Sequence, residues 1–155
     1  MIRALRAHPI RVPESQDIGV NRWEIGTATL TTTSAMQCLI LAAHNSRTLT
    51  GLVGHFTEID PDHFSDPEGA IAFRSALKAI PRIGRLDATS IWVGGGDSHP
   101  EGMYYRYSEI DRAYALANLA LLEATNLEVD WQTDGQLAAQ LNCSTGILET
   151  HWGPI

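Results

Sequence analysis

The sequence predicts a single-domain α/β sandwich, with mixed, mostly antiparallel sheets flanked by helices. Three observations predict it. Short runs rich in apolar and β-branched residues, bounded by turn residues, recur along the chain. Two segments instead repeat apolar residues at helical spacing. The chain has 155 residues and is 44% hydrophobic, enough for one buried core and ordinary for a globular domain. Strands and amphipathic helices mixed in this way imply sheets covered by helices. The whole span, residues 1–155, reads as one domain, with no repeat or long linker inside it.

Residues 1–22 read as a partly irregular arm with a short strand near residues 10–12, between Pro9 and Pro13. Residues 23–33 alternate loosely and are rich in Thr, which suits a strand. Residues 38–43 form a short apolar run. The polar stretch His44-Asn45-Ser46-Arg47 then turns the chain into residues 49–58, the expected hairpin partner. Residues 59–67 carry Asp-Pro turn pairs. Asp66 is the expected N-cap, Pro67 the first helical residue, and Ala70, Phe73, Leu77 and Ile80 the apolar face, with Pro81 as the stop.

Residues 89–93 read as a buried strand ending in Gly94-Gly95-Gly96. Ser108 is expected to cap a second helix whose apolar face is Ile110, Ala113, Tyr114, Ala117, Leu121 and Leu122. Residues 127–131 follow as a strand, residues 137–141 as a helical turn, and residues 146–150 as a last strand.

Charge and composition narrow the function. A net charge of −7 argues against non-specific binding to nucleic acid or to an anionic membrane surface. No run approaches the ~20 apolar residues needed to span a bilayer, so no membrane insertion is expected. Arg3 and Arg6 are not followed by the apolar segment of a classical signal peptide. With only two cysteines, Cys38 and Cys143, a reducing compartment is expected rather than a disulfide framework. A cytoplasmic location follows, with signal-independent export to a target cell left open.

Cys38 opens the first hairpin strand, and His55 lies near the end of the second. Adjacent strands would bring a thiol and an imidazole together. That is the minimum equipment of a cysteine nucleophile with its base. The imidazole takes the thiol proton to give a thiolate–imidazolium pair, and a hydroxyl from Thr31-Thr32-Thr33-Ser34 is placed to orient it. Backbone N–H groups near Cys38 would stabilise the oxyanion. A small buried core residue is the competing reading of Cys38.

Thr32, six residues before Cys38, and His55, seventeen after it, have a spacing that resembles the triad of the CheD-type chemoreceptor glutamine deamidases. Gly51-Leu52-Val53-Gly54-His55-Phe56 resembles that family's glycine-containing strand ending in an Ala-His-aromatic pattern. Val93-Gly94-Gly95-Gly96 resembles its strand followed by Gly-Gly. The helix after it, then residues 127–130 and Asp134-Gly135, fall in the family's order. The resemblance covers about residues 22–150. The same Cys–His core occurs in the cytotoxic necrotizing factor deamidases.

The resemblance implies an α/β sandwich with a protein-glutamine deamidase site. Cys38 would be the nucleophile, His55 the general base and acid, and Thr32 the orienting hydroxyl. It implies no metal or organic cofactor, and a protein substrate presenting a glutamine. Two segments depart from the family: Met36-Gln37 stands where it carries Gly-Ser, and residues 97–107 replace its Ile-Gly-x-Arg-Asn segment. A toxin-like or effector-like deamidase is one variant these departures allow. A non-catalytic binding module on the same fold and a thiol hydrolase of small amides are the alternatives.

Gly94, Gly95 and Gly96 read as backbone passing close to the site, which glycine permits. They lack the Lys-Ser/Thr of a phosphate loop. Tyr104 and Tyr105, beside Arg106 and Tyr107, either line a substrate face or pack the second helix against the sheet. Cys143 with His151 is a second Cys–His pair, read first as a structural thiol.

Overall fold

Strands form where apolar and β-branched residues alternate, and they sort into two sheets. The computed structural model describes residues 2–6, 9–10, 12–35, 37–96, 105–124, 126–131 and 136–153. Its strands are β1 (Arg3–Arg6), β2 (Arg22–Gly26), β3 (Thr29–Ala35), β4 (Leu39–Asn45), β5 (Thr50–Phe56), β6 (Thr89–Gly95), β7 (Asn126–Asp130), β8 (Gln136–Asn142) and β9 (Ile147–Gly153). Its helices are α1 (Glu68–Ala79) and α2 (Tyr105–Ala120). One sheet has the order β1-β9-β8-β3 and the other β2-β5-β4-β6-β7. The pairs β1/β9 and β6/β7 are parallel and the rest are antiparallel. The α/β sandwich read from the sequence is thus the observed fold.

The central strand β4 explains the layering. All seven of its residues are buried. Its period-2 alternation sends Ile40 and Ala42 toward the other sheet, where they join Leu30, Leu137, Ala139 and Leu141. Leu39, Leu41 and Ala43 face the opposite way and meet Phe73, Ala76 and Ile80 of the α1 region and Ala115 and Leu119 of α2. A strand buried on both faces reads as a continuous apolar run, as β4 does. Truncating a residue such as Leu41, which is 0% exposed, to Ala would cost about 2–5 kcal/mol. The hairpin expected between residues 38–43 and 49–58 is present, with Ile40 opposite His55 and Leu39 opposite Phe56.

Several expectations are corrected. The first strand is Arg3–Arg6, paired with β9; of the strand expected near residues 10–12, Ile10 and Val12 lie in no strand and Arg11 lies outside the described residues. Residues 23–33 are two strands in different sheets, broken at Thr27-Ala28, because β2 pairs with β5 while β3 pairs with β8. Residues 137–141 are strand, not helix: β8 is held between β3 and β9, and tertiary pairing overrides the helical propensity of its Leu and Ala residues. Helix α1 starts at Glu68, one residue after the expected Pro67, and Asp66 Oδ1 accepts the Glu68 N–H at 3.0 Å.

Ser108 lies inside α2 rather than capping it. The buried positions of α2 are Ser108, Asp111, Ala115 and Leu119, whereas Ala113 and Ala117 are exposed and Leu121 is 79% exposed. The apolar face expected from spacing is rotated, because Ser108 and Asp111 hydrogen-bond the backbone of distant segments. No described helix is long and apolar enough to cross a membrane.

Candidate active site

His55 sits on β5 with its side chain between the sheets. Its cross-strand neighbour Ile40 belongs to the inter-sheet core, and so does Cys38, two residues before Ile40. Cys38 and His55 therefore share one face as diagonal neighbours, a relationship that places Cα atoms about 7–8 Å apart. Thr32 reaches the same space from the other sheet. Its cross-strand neighbour Ala139 is part of the inter-sheet core.

Thr32 Oγ1 lies 2.9 Å from His55 Nδ1 and donates to the Ile18 carbonyl at 2.7 Å. The hydroxyl hydrogen is spent on Ile18, so the contact to His55 has Nδ1–H as donor. The hydrogen-bond geometry thus assigns the tautomer: the neutral ring carries its proton on Nδ1 and a lone pair on Nε2. Nε2 is buried and makes no hydrogen bond among the described residues. A bare, oriented ring nitrogen is what a general base needs.

The thiol itself is closed off. Cys38 is 7% exposed, and the Thr57 side chain, opposite it when the β4/β5 register is extended one step, acts on its thiol. Burial pushes the Cys38 thiol up to about 11, and the Asp111 and Glu58 carboxylates push it further in that direction while Thr57 opposes them. Burial lowers His55 to about 4, against the Asp17 carboxylate. Both groups are therefore neutral at rest. The thiolate–imidazolium pair expected from the sequence is not the resting state, because a desolvated site disfavours both charges.

Around Cys38 the backbone is closely held. The Gly96 N–H donates to the Cys38 carbonyl at 2.9 Å. Gly95 has φ of 104°, and a Cβ there would stand 2.5 Å from the Cys38 carbonyl oxygen. Gly94 is shielded by the Trp92 ring, which a Cβ would meet at 2.4 Å. Gly95 and Gly96 thus frame the cysteine through close backbone approach, whereas Gly94 packs against Trp92 and the Asp130 carbonyl. Tyr104, the 97–103 segment and Asp134-Gly135 lie outside the described residues; Tyr105 is the first residue of α2.

Several residues near the site were not singled out from the sequence. Asn21, with φ of 56°, donates its N–H to the His55 carbonyl at 2.6 Å and accepts the Thr57 N–H on Oδ1 at 3.1 Å. Asp111 accepts the Glu58 and Ile59 N–H groups. A polar residue at a helix position between apolar turns was the available signal for Asp111. Nothing local marked Asn21, whose role depends on a strand more than thirty residues away in sequence.

Cys143 is fully buried, and His44 Nε2 contacts its carbonyl oxygen at 2.7 Å. Its thiol stands beside Gly51, so it belongs to the packing between the sheets. Among the described residues no group of three His, Cys, Asp or Glu side chains is arranged to hold a metal ion. A surface groove of about 630 Å³ runs along β2 and α1, lined by Ile18, Arg22, Trp23, Pro67 and Ile71 among others, but by neither Cys38 nor His55.

No protein-family model matches the chain, and no curated protein matches it.

Proposed function

We propose that the protein is a cysteine-dependent protein-glutamine deamidase, an amidohydrolase that converts a glutamine side chain to glutamate and releases ammonia. The observation that supports it is the Thr32–His55 hydrogen bond across the two sheets, with Cys38 on the same face as His55. It brings together the three residues whose spacing resembles the CheD-type triad.

The chemistry runs through neutral groups. The Cys38 thiol comes within hydrogen-bonding reach of His55 Nε2 as the glutamine side chain enters. Nε2 takes the thiol proton while sulfur bonds to the amide carbon, and the tetrahedral oxyanion needs N–H donors at that point. Imidazolium gives its proton to the amide nitrogen, the C–N bond breaks, and ammonia leaves a thioester on Cys38. A water, deprotonated by the same nitrogen, then attacks the thioester. Glutamate forms and the thiol is restored. Thr32 keeps the ring in the required tautomer throughout, and no organic cofactor takes part.

The test is ammonia release and a glutamine-to-glutamate mass change on unfolded, glutamine-bearing proteins, for wild type and Cys38→Ser. Release that is equal in the two proteins would sink the assignment. A second reading, a non-catalytic binding module on the same fold, is favoured by one observation: among the described residues His55 Nε2 makes no hydrogen bond, to the Cys38 thiol or to any other group. Under that reading Cys38→Ala leaves partner capture unchanged and wild type releases no ammonia.

A further inference from the structure

One face of α2 reaches three separate backbone segments around Cys38. Ser108 Oγ donates at 3.3 Å to the carbonyl of Gln37, the residue before the cysteine. Arg112 Nη2 donates at 3.2 Å to the carbonyl of Gly95, whose neighbour Gly96 holds the Cys38 carbonyl. Between them, Asp111 accepts the Glu58 N–H on Oδ2 at 2.8 Å and the Ile59 N–H on Oδ1 at 2.9 Å. Residues spaced three and four apart share a helix face, so these contacts act as one unit.

The segment Asp111 holds begins beside the thiol's own partner. Glu58 and Ile59 directly follow Thr57. Glu58 has φ of 54°, a left-handed conformation that a non-glycine residue keeps when its surroundings hold it. A carboxylate bridging two successive amides is such a hold. Asp111 is also 1% exposed, although a buried carboxylate is costly. A helix that only covered a sheet would place an apolar residue there.

We propose that Asp111 is a positioning residue of the Cys38 site: through the Glu58 and Ile59 amides it fixes Thr57 against the thiol and keeps the thiol shielded, with Ser108 and Arg112 completing the clamp. The proposal rests on the deamidase reading only in treating Cys38 as the nucleophile. The shielding is measurable without catalysis. Burial raises Asp111 itself to about 6, against its two N–H partners, and the Glu58 and Asp60 carboxylates face it from the same segment.

The two thiols supply the test. Cys38 lies under the clamp, and Cys143, 0% exposed, packs beside Gly51 at the other end of the β4/β5 hairpin. Alkylation by iodoacetamide is followed at each cysteine by peptide mass spectrometry, from neutral to alkaline pH, in wild type, Asp111→Asn and Ser108→Ala. Asn keeps the size of Asp, but offers one carbonyl oxygen to two amides and removes the charge near the thiol. The expected result is a rise of about tenfold in Cys38 alkylation at fixed pH in Asp111→Asn, equivalent to one unit in thiol pKa. Ser108→Ala gives a smaller rise, and Cys143 is unchanged in both.

An unchanged Cys38 rate in both variants overturns the proposal. So does a parallel rise at Cys143, which would mean general loosening. If Asp111→Asn does not fold, Ser108→Ala decides by the same contrast between the thiols. In an active enzyme Asp111→Asn lowers kcat while Cys38 alkylation rises. If wild type releases no ammonia at all, the deamidase reading falls, while the Cys38-to-Cys143 contrast still decides the clamp.

Discussion

Thr32 and His55 belong to different sheets, and the 2.9 Å contact between Thr32 Oγ1 and His55 Nδ1 joins the two layers at the candidate catalytic base. The Ile18 carbonyl fixes which atom donates. Removing this hydroxyl should therefore disturb the ring's tautomer before it disturbs the fold. Thr32→Val is expected to lower kcat by about ten- to a hundredfold, roughly 1.4–2.7 kcal/mol of transition-state stabilisation. Thr32→Ser should restore most of the loss. Nitrogen NMR of His55 should show Nδ1–H in wild type and Thr32→Ser, and a mixture of tautomers in Thr32→Val. An unmixed Nδ1–H ring in Thr32→Val would refute the assigned role.

The neutral resting pair sets the pH profile. His55 is lowered to about 4 by burial, so the base stays unprotonated down to that pH. The thiol, raised to about 11, stays protonated well into the alkaline range. With both reactive forms present between these limits, kcat/KM should show its His55 limb only near 4, with a shallower step near 6, where Asp111 takes its proton, that is absent from Asp111→Asn. An acid limb near the ordinary histidine value of 6.5 that persists in Asp111→Asn would show that His55 is solvated rather than buried.

Stability should carry two opposing pH terms. His55 is depressed from 6.5 to about 4, so its contribution is present above 6.5 and is lost as pH falls through that window. Asp111 is raised from 3.8 to about 6, so its contribution is present below 3.8 and is lost as pH rises to about 6. In their overlap the two slopes cancel in part. Urea unfolding across this range should show Asp111→Asn becoming less stable than wild type on acidification, beyond any constant offset. His55→Gln should show the reverse slope. Parallel curves for all three proteins would contradict both assignments.

Gly95 offers a test of the frame around the cysteine. At φ of 104° a side chain is strained, and its Cβ would stand 2.5 Å from the Cys38 carbonyl oxygen. Backbone at both ends leaves little room to yield. Gly95→Ala is expected to cost at least ~2 kcal/mol in chemical denaturation and to displace the Gly96–Cys38 hydrogen bond. A variant as stable as wild type would show that residues 94–96 do not hold the site.

The sequence by itself determined the hairpin. A short apolar run, a polar turn and a second run fix β4 and β5 in register. Period-2 alternation then puts Cys38 and His55 on one face without help from the rest of the chain. The Asp66 turn and the spacing through Phe73 likewise located α1, because helix starts and apolar periodicity are local signals. The tertiary structure alone decided what joins across sequence: that residues 23–33 divide between two sheets, that residues 137–141 pair as strand, and that Thr32 Oγ1, held by Ile18, meets Nδ1. It also decided the protonation of the site, since burial is a property of the folded layers and drives the thiol and the imidazole to their neutral forms. The buried face of α2 escaped the apolar pattern for the same reason. Asp111 and Ser108 are inside because backbone groups from distant segments meet them there.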